Sequence, residues 1–485
     1  MIGNSNFIEN RFKRQGLIFA IVSLCLLLSL IFAYSRDSIA DGSGDVAVVM
    51  LDSGGSAGEV VFWTAESDDT GKDVDQDQDI GQYGDQDARQ EMEKEKIPLA
   101  GFGKTVQSLL KPKLIPQDWE FTIIATGDVM MHSPQISAGW ISESRSYDFA
   151  FMFEKVAPIL RQGDLVICNL ETTLAGEANE GFTGYPRFNA PEILAKNLKD
   201  VGFTLVSTAN NHILDRGHRG LLATLDHLDE AGLLHTGAFR SPEERSRTLL
   251  MDVKGVKVAA IAATYGTNGL SPPSGHGYAV SYIDEAELLE DIRRAKGEGA
   301  DYIIVMLHWG DEYQPRPNQA QTILAENLLR GGADFILGNH PHVLQRGEAL
   351  RIDGSHDKFV MYSLGNFVSN QEGMERLSSM LLVLTIGVSG ITGEPYFKEA
   401  GYIPIYTQKR NNQGVSHHIV WPLELALAEL EAGGQAFGWE DRTAIPRAWN
   451  HVVNSQPDLK LLMLKDTPLW EELGGSVEEA HTNEF

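Results

Sequence analysis

Short apolar runs alternate with stretches of helical periodicity along the middle of the chain. The apolar runs predict strands over 121–126, 165–168, 204–207, 256–262, 302–307, 335–337 and 359–362. Apolar residues at helical spacing predict helices over 151–161, 192–200, 220–231, 284–296 and 319–330. A further strand is predicted over 402–406 and a further helix over 423–430. Strand followed by helix, repeated in this way, is typical of an α/β layered domain.

The longest apolar run lies near the N-terminus. Residues 16–34 carry no formal charge and follow Arg11, Lys13 and Arg14. This length is close to the ~20 residues that a helix needs to cross a bilayer, and it exceeds the ~7–15 residues of a usual signal core. The alternative is a cleaved signal peptide, because Ser38-Ile39-Ala40 has the small-x-small pattern of a cleavage site. We favour a retained transmembrane signal-anchor.

The basic flank of this run predicts its orientation. Residues 1–15 are expected to stay in the cytoplasm, which sends the rest of the chain outward. The sequence therefore predicts a single-pass protein of the cell membrane whose main domain is extracytoplasmic.

Residues 35–96 form an acidic, low-complexity stretch. From 41 to 96 there are 16 acidic and 4 basic residues, including alternating Asp over 73–79. So few apolar residues cannot offset the entropy of ordering, which predicts a disordered linker. A calcium-binding loop is the alternative, but the glycine and final glutamate of an EF-hand are out of register. We expect a main domain over 97–440, then a C-terminal extension and acidic tail over 441–485.

Charge and cysteine content exclude several classes of protein. Lys and Arg number 40 against 67 Asp and Glu, so the formal net charge is −27. Affinity for nucleic acid comes largely from clustered basic residues, so we predict no nucleic-acid partner. The two cysteines, Cys25 and Cys168, exclude a disulfide framework and a cysteine-based zinc site.

Polar residues that can bind metal follow the predicted strands almost at once. They are Gly127-Asp128, Asn169-Leu170-Glu171, Asn210-Asn211-His212, His308 and His340-Pro341-His342. Ligands of open α/β sheets gather beyond the carboxyl ends of the strands. A mixed set of oxygen and nitrogen donors suits Mn, Fe or Zn better than Ca or Mg. The pattern predicts a divalent transition-metal site; the alternative is a polar rim without metal.

These motifs, in this order and spacing, resemble the CapA/PgsA family of poly-γ-glutamate capsule biosynthesis proteins, within the calcineurin-like metallophosphatase superfamily. The resemblance is carried by residues 127–130, 164–171, 210–217, 308–313, 331–334, 338–343 and 362–367. It implies an α/β fold, a four-layer α/β/β/α metallophosphatase-like sandwich with the metal site at one edge.

The resemblance also implies roles for individual residues around two ions. The implied ligands are Asp128, Glu171, Asn211, His308, His340 and His342. Glu171 would bridge the ions, and His212 would protonate the leaving group. Two such ions lower the pKa of a bound water and stabilise an in-line displacement. Met130 stands where many metallophosphatases carry histidine. One of the two ions would therefore have one imidazole ligand fewer, unless His132 supplies that ligand.

Further residues are predicted to support the site or to bind substrate: Asn169, Asn210, Trp309, Glu312 and Asn366. Asn169 either supports Glu171 or caps the following turn. Trp309 either lines a substrate groove or covers the core. Asn366 either orients a ligand or forms a tight turn with Gly365.

The resemblance implies a membrane-anchored component of capsule or poly-γ-glutamate synthesis or export. Other membrane subunits of a polymer synthase would be its partners, and an anionic polymer its ligand. Two alternatives are an extracellular metallophosphoesterase of envelope phosphodiesters and a metal-dependent γ-glutamyl hydrolase or transferase. A convergent ligand set favours an enzyme over a scaffold.

Overall fold

The computed structural model describes residues 117–352 and 357–475, together with the backbone of three short strands nearer the N-terminus. These are β1 (Val48–Asp52), β2 (Glu59–Trp63) and β3 (Lys96–Pro98), which pair antiparallel in that order. They belong to a first unit, Met1–Leu114. The linker prediction did not include these strands, and the rest of the predicted linker lies outside the described residues.

The predicted membrane helix over 16–34 also lies outside the described residues. Among the helices that the structure does describe, none is both long and apolar enough to span a bilayer.

The second unit, Ile115–Phe485, holds the remaining elements. Its strands are β4 (Trp119–Val129), β5 (Trp140–Ile141), β6 (Ser146–Tyr147), β7 (Leu165–Leu170), β8 (Leu205–Ser207), β9 (Leu234–Thr236), β10 (Leu249–Val253), β11 (Val256–Thr264), β12 (Tyr302–His308), β13 (Phe335–Asn339), β14 (Gly347–Arg351), β15 (Asp357–Met361), β16 (Asn366–Val368), β17 (Ser378–Val388), β18 (Pro395–Asn412), β19 (Val415–Pro422) and β20 (Lys460–Leu461). Its α-helices are α1 (Ser133–Ala138), α2 (Ala157–Leu160), α3 (Ile193–Val201), α4 (Gly217–Glu230), α5 (Pro242–Arg245), α6 (Glu285–Gly297), α7 (Gln319–Gly331), α8 (Met374–Leu377), α9 (Leu423–Glu431), α10 (Trp439–Ser455) and α11 (Leu469–Glu472). Short 3-10 helices occur at Ala150–Met152, Gly277–Ala279 and Leu464–Asp466.

Two large sheets form the centre of this unit. One runs β10-β11-β12-β13-β15-β14 and the other runs β19-β18-β17-β4-β7-β8-β9. The strands β11, β12, β13 and β15 are mutually parallel, as are β4, β7, β8 and β9. Because parallel strands share a direction, their carboxyl ends collect at one edge of each sheet.

Alternate side chains of strand β12 pack into two different hydrophobic cores. Every residue of Tyr302–His308 is buried, as expected for a parallel strand that is covered on both faces. Ile304 and Met306 belong to the large core, which also holds residues of the other sheet. Ile303 and Val305 belong to a second core, shared with α6 and α7. Alternation of side chains along the strand therefore yields a mixed α/β sandwich.

The ends of the helices that cover this sheet are specified locally. The Asp284 side chain accepts a hydrogen bond from the Glu287 N–H at the start of α6. Asn318 and Gln321 form a reciprocal capping box at the start of α7, which ends at Gly332 with a φ of +118°. The predicted helices 284–296 and 319–330 are confirmed to within one residue at each end.

Several predicted boundaries differ from the structure, and two of these differences change the description of the unit. The helix predicted over 151–161 is interrupted, because Pro158 lies in the first turn of α2 and lacks the N–H that a longer helix would need. The predicted domain end at 440 falls inside α10, whose Ile445, Ala448 and Val452 are buried in the large core. The described part of the C-terminal extension therefore packs on the main unit, and residues 476–485 lie outside the described residues.

Candidate metal centre

The six implied metal ligands meet at one edge of the two sheets. All are buried, with between 0% and 3% of their surface exposed: Asp128, Glu171, Asn211, His308, His340 and His342. The sheet that contains β4, to which β16 and β20 also pair, supplies the first three at or after β4, β7 and β8. The six-stranded sheet supplies the histidines at or after β12 and β13. Residues at the carboxyl ends of strands in both sheets therefore lie close together, as the rule that ligands gather beyond these ends predicts.

Asp128 is fixed by hydrogen bonds to both of its carboxylate oxygens. Its Oδ1 accepts from Asn169 Nδ2 at 2.7 Å and from Asn339 Nδ2 at 3.0 Å. Its Oδ2 accepts from the His340 N–H at 3.3 Å and lies 3.3 Å from His342 Nδ1. The carboxylate is thus held with Oδ2 turned toward the histidines.

Glu171 lies at the centre of the cluster without a hydrogen bond to either carboxylate oxygen. Its nearest charged or chargeable neighbours are His308 Nε2 at 3.6 Å, His342 Nδ1 at 3.9 Å and His212 Nε2 at 4.0 Å. Burial, and secondly the charge of Asp128, raises the pKa of Glu171 well above its usual range. Buried carboxylates without hydrogen-bond donors are rare, so we expect Glu171 to bind a proton or a cation.

Two groups of donor atoms overlap at Glu171. One consists of Glu171, His308 and His340, and the other of Asp128, Glu171 and His342, with the donor atoms of each group within 4.8 Å of one another. A third group joins the exposed Glu312 to His340 and His342. The residues present are compatible with divalent metal.

The histidines are held in the form that binds metal. Burial lowers the pKa of His308 well below its usual range, and burial together with the nearby His342 lowers the pKa of His340 to about 4. His340 Nδ1 has no hydrogen-bond partner. Both are therefore neutral at physiological pH, and neutral imidazole is the metal ligand.

The turn that carries two of these histidines has an unusual backbone. His340 has a φ of +98° and His342 a φ of +59°, a region that non-glycine residues seldom adopt. Pro341 lies between them, and its O accepts from the Tyr313 N–H at 2.8 Å. Such conformations persist only where the surrounding structure enforces them, and here they let both imidazoles reach the cluster.

Three asparagines orient the ligands. Asn169 Nδ2 lies 3.2 Å from His308 Nδ1, and His308 Nε2 lies 2.9 Å from Asn211 Oδ1. Asn210 Nδ2 donates to Leu170 O at 2.8 Å and to Asn169 Oδ1 at 3.3 Å. Asn169 and Asn210 thus support the ligands.

Asn366 supports the other side of the cluster. Its Oδ1 lies 3.0 Å from His342 Nδ1. Its Nδ2 donates to Gln371 Oε1 at 3.0 Å and to the Arg376 carbonyl at 3.1 Å. The side chain therefore links His342, one of the candidate ligands, to Gln371 and Arg376, which follow β16.

His212 and Asp215 form a buried pair beside the cluster. His212 Nδ1 lies 2.7 Å from Asp215 Oδ2, which also accepts from the Phe188 N–H at 2.6 Å. The remaining nitrogen, Nε2, is directed toward Glu171. A carboxylate that fixes one ring nitrogen leaves the other to carry a proton to or from a reacting group. Sequence reasoning quoted Asp215 in a motif but gave it no role.

The groove interpretation of Trp309 is wrong. The indole is 3% exposed, belongs to the core beneath α6 and α7, and donates from Nε1 to Tyr362 O at 2.9 Å. The reason is alternation: His308 faces the cluster, so the next side chain points to the opposite face of the sheet.

His132 does not replace the missing histidine of the first motif. It lies just before α1, where its N–H donates to Gln135 Oε1 at 2.9 Å and its Nδ1 accepts from the Asn370 N–H at 3.3 Å. It belongs to none of the donor groups found among the described residues. Met130 is buried, so the Asp128 segment contributes no imidazole.

Two residues of the site were missed. The ring of Tyr265 lies 4.4 Å from that of His340, between centroids, and is half exposed. Asn268 Oδ1 accepts from Asn211 Nδ2 at 3.3 Å. Tyr265 directly follows β11, so the same strand-end rule could have found it.

A mixed α/β sandwich with buried carboxylates and imidazoles at its strand ends defines a class of protein whose site is compatible with divalent metal. Residues 122–371 match the family described as bacterial capsule synthesis protein PGA_cap. The chain belongs to this family.

Two relatives bear on this family. The chain is 31% identical over 274 residues to "Capsule biosynthesis protein CapA" of Bacillus anthracis, across 54% of this chain and 63% of that one. It is 32% identical over 271 residues to "PGA biosynthesis protein CapA" of Bacillus subtilis (strain 168), across 53% of this chain and 65% of that one. The match thus spans less than two thirds of either relative.

Among solved structures, the calcineurin-like phosphoesterase YfkN from Bacillus subtilis is similar at a TM-score of 0.32 and 14% identity, across 70% of this chain and 98% of that one. This score is low, and the class of fold rests on the sheets and helices described above.

Proposed function

We propose that this chain is a membrane-anchored, extracytoplasmic component of capsule polymer synthesis or export, and that its edge site is a divalent-metal hydrolase or transferase centre. Membership of the capsule synthesis family supports the general role. The name of one relative, "PGA biosynthesis protein CapA", supports an anionic polymer such as poly-γ-glutamate as the ligand. Membrane subunits of a polymer synthase are the proposed partners, and no nucleic acid is.

The single observation that carries the enzymatic part is the orphaned carboxylate of Glu171. A scaffold has no physical reason to bury a carboxylate without donors beside His308, His340, His342 and Asp128. Mn, Fe or Zn would be held by the six ligands, with Glu171 common to two ions. When bound, such ions supply an activated water and stabilise the developing charge at the reacting centre.

The chain's own residues account for the rest of the reaction. His212 Nε2 would donate a proton to the leaving oxygen or nitrogen as its bond breaks; Asp215 would stabilise the imidazolium before the transfer and keep the neutral ring in place after it. Asn169, Asn210 and Asn366 hold the ligands in place. A phosphodiester and a γ-glutamyl bond both present such a leaving group, so the substrate must be tested directly.

The test uses the full chain, purified in detergent, and compares three proteins. Wild type, Glu171→Gln and Glu424→Gln are supplied with Mn or Zn, and bound metal is measured by mass spectrometry. Glu424 is a matched control because it is also a buried carboxyl with one orphaned oxygen, but its other oxygen accepts from the Leu464 N–H at 2.6 Å. We expect about two ions per chain in wild type and the control, and a clear loss in Glu171→Gln.

The same samples are assayed on bis(p-nitrophenyl) phosphate and on a γ-glutamyl p-nitroanilide. Turnover that disappears together with the metal supports the hydrolase proposal, and the substrate that is cleaved decides between phosphodiester and γ-glutamyl chemistry. Wild type that retains no metal under any of these conditions would overturn the catalytic part and leave a polymer-binding role.

A further inference from the structure

The guanidinium of Arg376 lies one aromatic ring away from the metal centre. Its Cζ is 4.9 Å from the centroid of the Tyr313 ring, and that ring is 6.0 Å from the ring of His342, between centroids. Tyr313 is itself tied to the histidine turn through its N–H, which donates to Pro341 O. The stack therefore extends outward from a metal-binding histidine.

The same asparagine fixes both ends of this arrangement. Asn366 Oδ1 lies 3.0 Å from His342 Nδ1, while Asn366 Nδ2 donates to the Arg376 carbonyl at 3.1 Å. Gly373 shapes the intervening loop with a φ of +101°, and a Cβ at that position would lie 2.7 Å from Arg376 Nη2. Both the backbone conformation and the close approach favour glycine there, so the loop leaves room for the guanidinium.

Arg376 lacks an acidic partner. Among the described residues no Asp or Glu forms an ion pair with it; its guanidinium lies over the Tyr313 ring, and the charge of Glu312 also acts on the hydroxyl of that ring, raising its pKa after burial does so first. Arg346 offers a direct contrast, because it too lies over a tyrosine, Tyr362 at 5.3 Å, but pairs with Glu348 at 3.1 Å. Among the described residues an arginine thus lies over a tyrosine ring at both Tyr313 and Tyr362, and of these two arginines Arg376 is the one without an ion pair.

We infer that Arg376 is a substrate-binding residue that takes an oxyanionic group, a carboxylate or a phosphate, next to the metal centre. The planar fork of a guanidinium donates two parallel hydrogen bonds to such a group, and stacking on Tyr313 fixes its plane beforehand. The inference rests on the proposed function, because it supplies the anion-binding part of the same site. It explains how a chain of net charge −27 holds an anionic ligand at this position.

The test measures binding of two small probes, inorganic phosphate and glutarate, by titration calorimetry on the full chain in detergent. Four proteins are compared: wild type, Arg376→Ala, Arg376→Lys and the matched control Arg346→Ala. Each is measured after loading with Mn and again after chelation. We expect Arg376→Ala to weaken binding by about tenfold or more, the value of one lost charged hydrogen-bonding partner. Arg376→Lys should fall between, because it keeps the charge but not the fork, and Arg346→Ala should bind as wild type does.

The two probes identify the source of the anion, since the probe with the larger loss in Arg376→Ala is the better mimic of the natural group. Equal affinity in wild type and Arg376→Ala, an equal loss in Arg346→Ala, or no binding of either probe to wild type would overturn the inference.

Metal content separates this inference from the proposed function. Arg376→Ala should retain as much metal as wild type, because the side chain is not a ligand. If wild type binds no metal, the proposed catalytic function fails, while the probe titrations of the chelated chain still decide whether Arg376 binds an oxyanion.

Discussion

The same unit contains two buried polar clusters that differ in whether their polar groups all have hydrogen-bond partners. The glutamine cluster consists of Gln321, Gln345 and Gln456, each at most 2% exposed. Gln321 Nε2 donates to Gln345 Oε1, Gln345 Nε2 to Gln314 O and Gln456 Nε2 to Gln345 O, each at 2.9 Å. The acceptors Gln321 Oε1 and Gln456 Oε1 receive the N–H groups of Asn318 and Gly347. This cluster is complete without any other molecule.

The metal centre has the same burial but is not complete. Glu171 accepts no hydrogen bond, and His340 Nδ1 has no partner. Polar groups that satisfy one another stabilise a fold, whereas buried groups left open while their neighbours are fixed indicate a ligand. We assign a function to the metal centre because its buried groups lack partners, and a structural role to the glutamine cluster because its groups are paired. The presence of histidines is the weaker argument.

The largest expected effect is at His212, whose Nδ1 is paired with Asp215 while its Nε2 is directed toward Glu171 in the incomplete cluster. If it donates the proton, His212→Asn should lower turnover of the cleaved probe substrate by about 10²–10⁴-fold while metal content stays constant. Steady-state kinetics and metal analysis check this together. His227→Asn is the control, since His227 hydrogen-bonds Leu174 O elsewhere in the unit. Unchanged turnover in His212→Asn would remove it from the reaction.

The complete cluster should respond in stability and not in metal binding. Gln345→Leu removes the acceptor of Gln321 and one donor, and should lower the free energy of unfolding by about 2–4 kcal/mol. Urea unfolding measures the loss, with the exposed Gln319→Leu as control. A concurrent loss of metal would show that the clusters are coupled.

After the metal has been removed, a substitution in the metal centre should stabilise the chain, whereas the substitution in the glutamine cluster should destabilise it. The raised pKa of Glu171 means that the folded chain holds this proton more tightly than the unfolded chain does. The contribution of this bound proton to the free energy of unfolding is therefore full at acid pH. It is lost as the pH rises from about 4.5 toward the pKa of Glu171 in the folded chain. Glu171→Gln should thus stabilise the chelated chain relative to wild type by about 1–3 kcal/mol, more at pH 8 than at pH 5.

Thermal unfolding of chelated wild type and Glu171→Gln at the two pH values checks this difference. Glu424→Gln should show a smaller one, because Glu424 keeps a backbone donor. If Glu171→Gln were destabilising at both pH values, Glu171 would be an ordinary part of the fold.

The smallest expected effect is at Trp309, which lies next to the metal centre in sequence but on the other side of the sheet. Trp309→Phe removes one hydrogen bond to Tyr362 O and should cost about 1 kcal/mol. The KM of the probe substrate should stay at the wild-type value. A raised KM with unchanged stability would restore the groove interpretation.

Much of the site could be predicted because its ligands directly follow apolar runs. Asp128 and His308 end β4 and β12, and the His340-Pro341-His342 turn follows β13. One chemical rule about strand ends therefore placed them at one edge. The mixed α/β sandwich was predicted for the same reason, since strands and helices alternate visibly along the chain. The membrane span over 16–34 stays a prediction.

The rest depended on relations that sequence spacing does not contain. Arg376 sits on the short helix α8 and reaches the centre only because Asn366 and Tyr313 hold it there. The role of Asp215 depends on which of its neighbours its carboxylate contacts. Trp309 was misplaced because nearness in sequence was taken for nearness in space, whereas pleating turns adjacent side chains in opposite directions.

The distance between the ligands along the chain has a consequence for biosynthesis. The hydrogen bond from the His340 N–H to Asp128 joins residues 212 positions apart, and the other ligands lie on or between two sheets that must first meet. A nascent chain therefore has no binding pocket until the segment carrying His342 has been synthesised and docked. Metal capture would come at the end of maturation and would lock the two halves together.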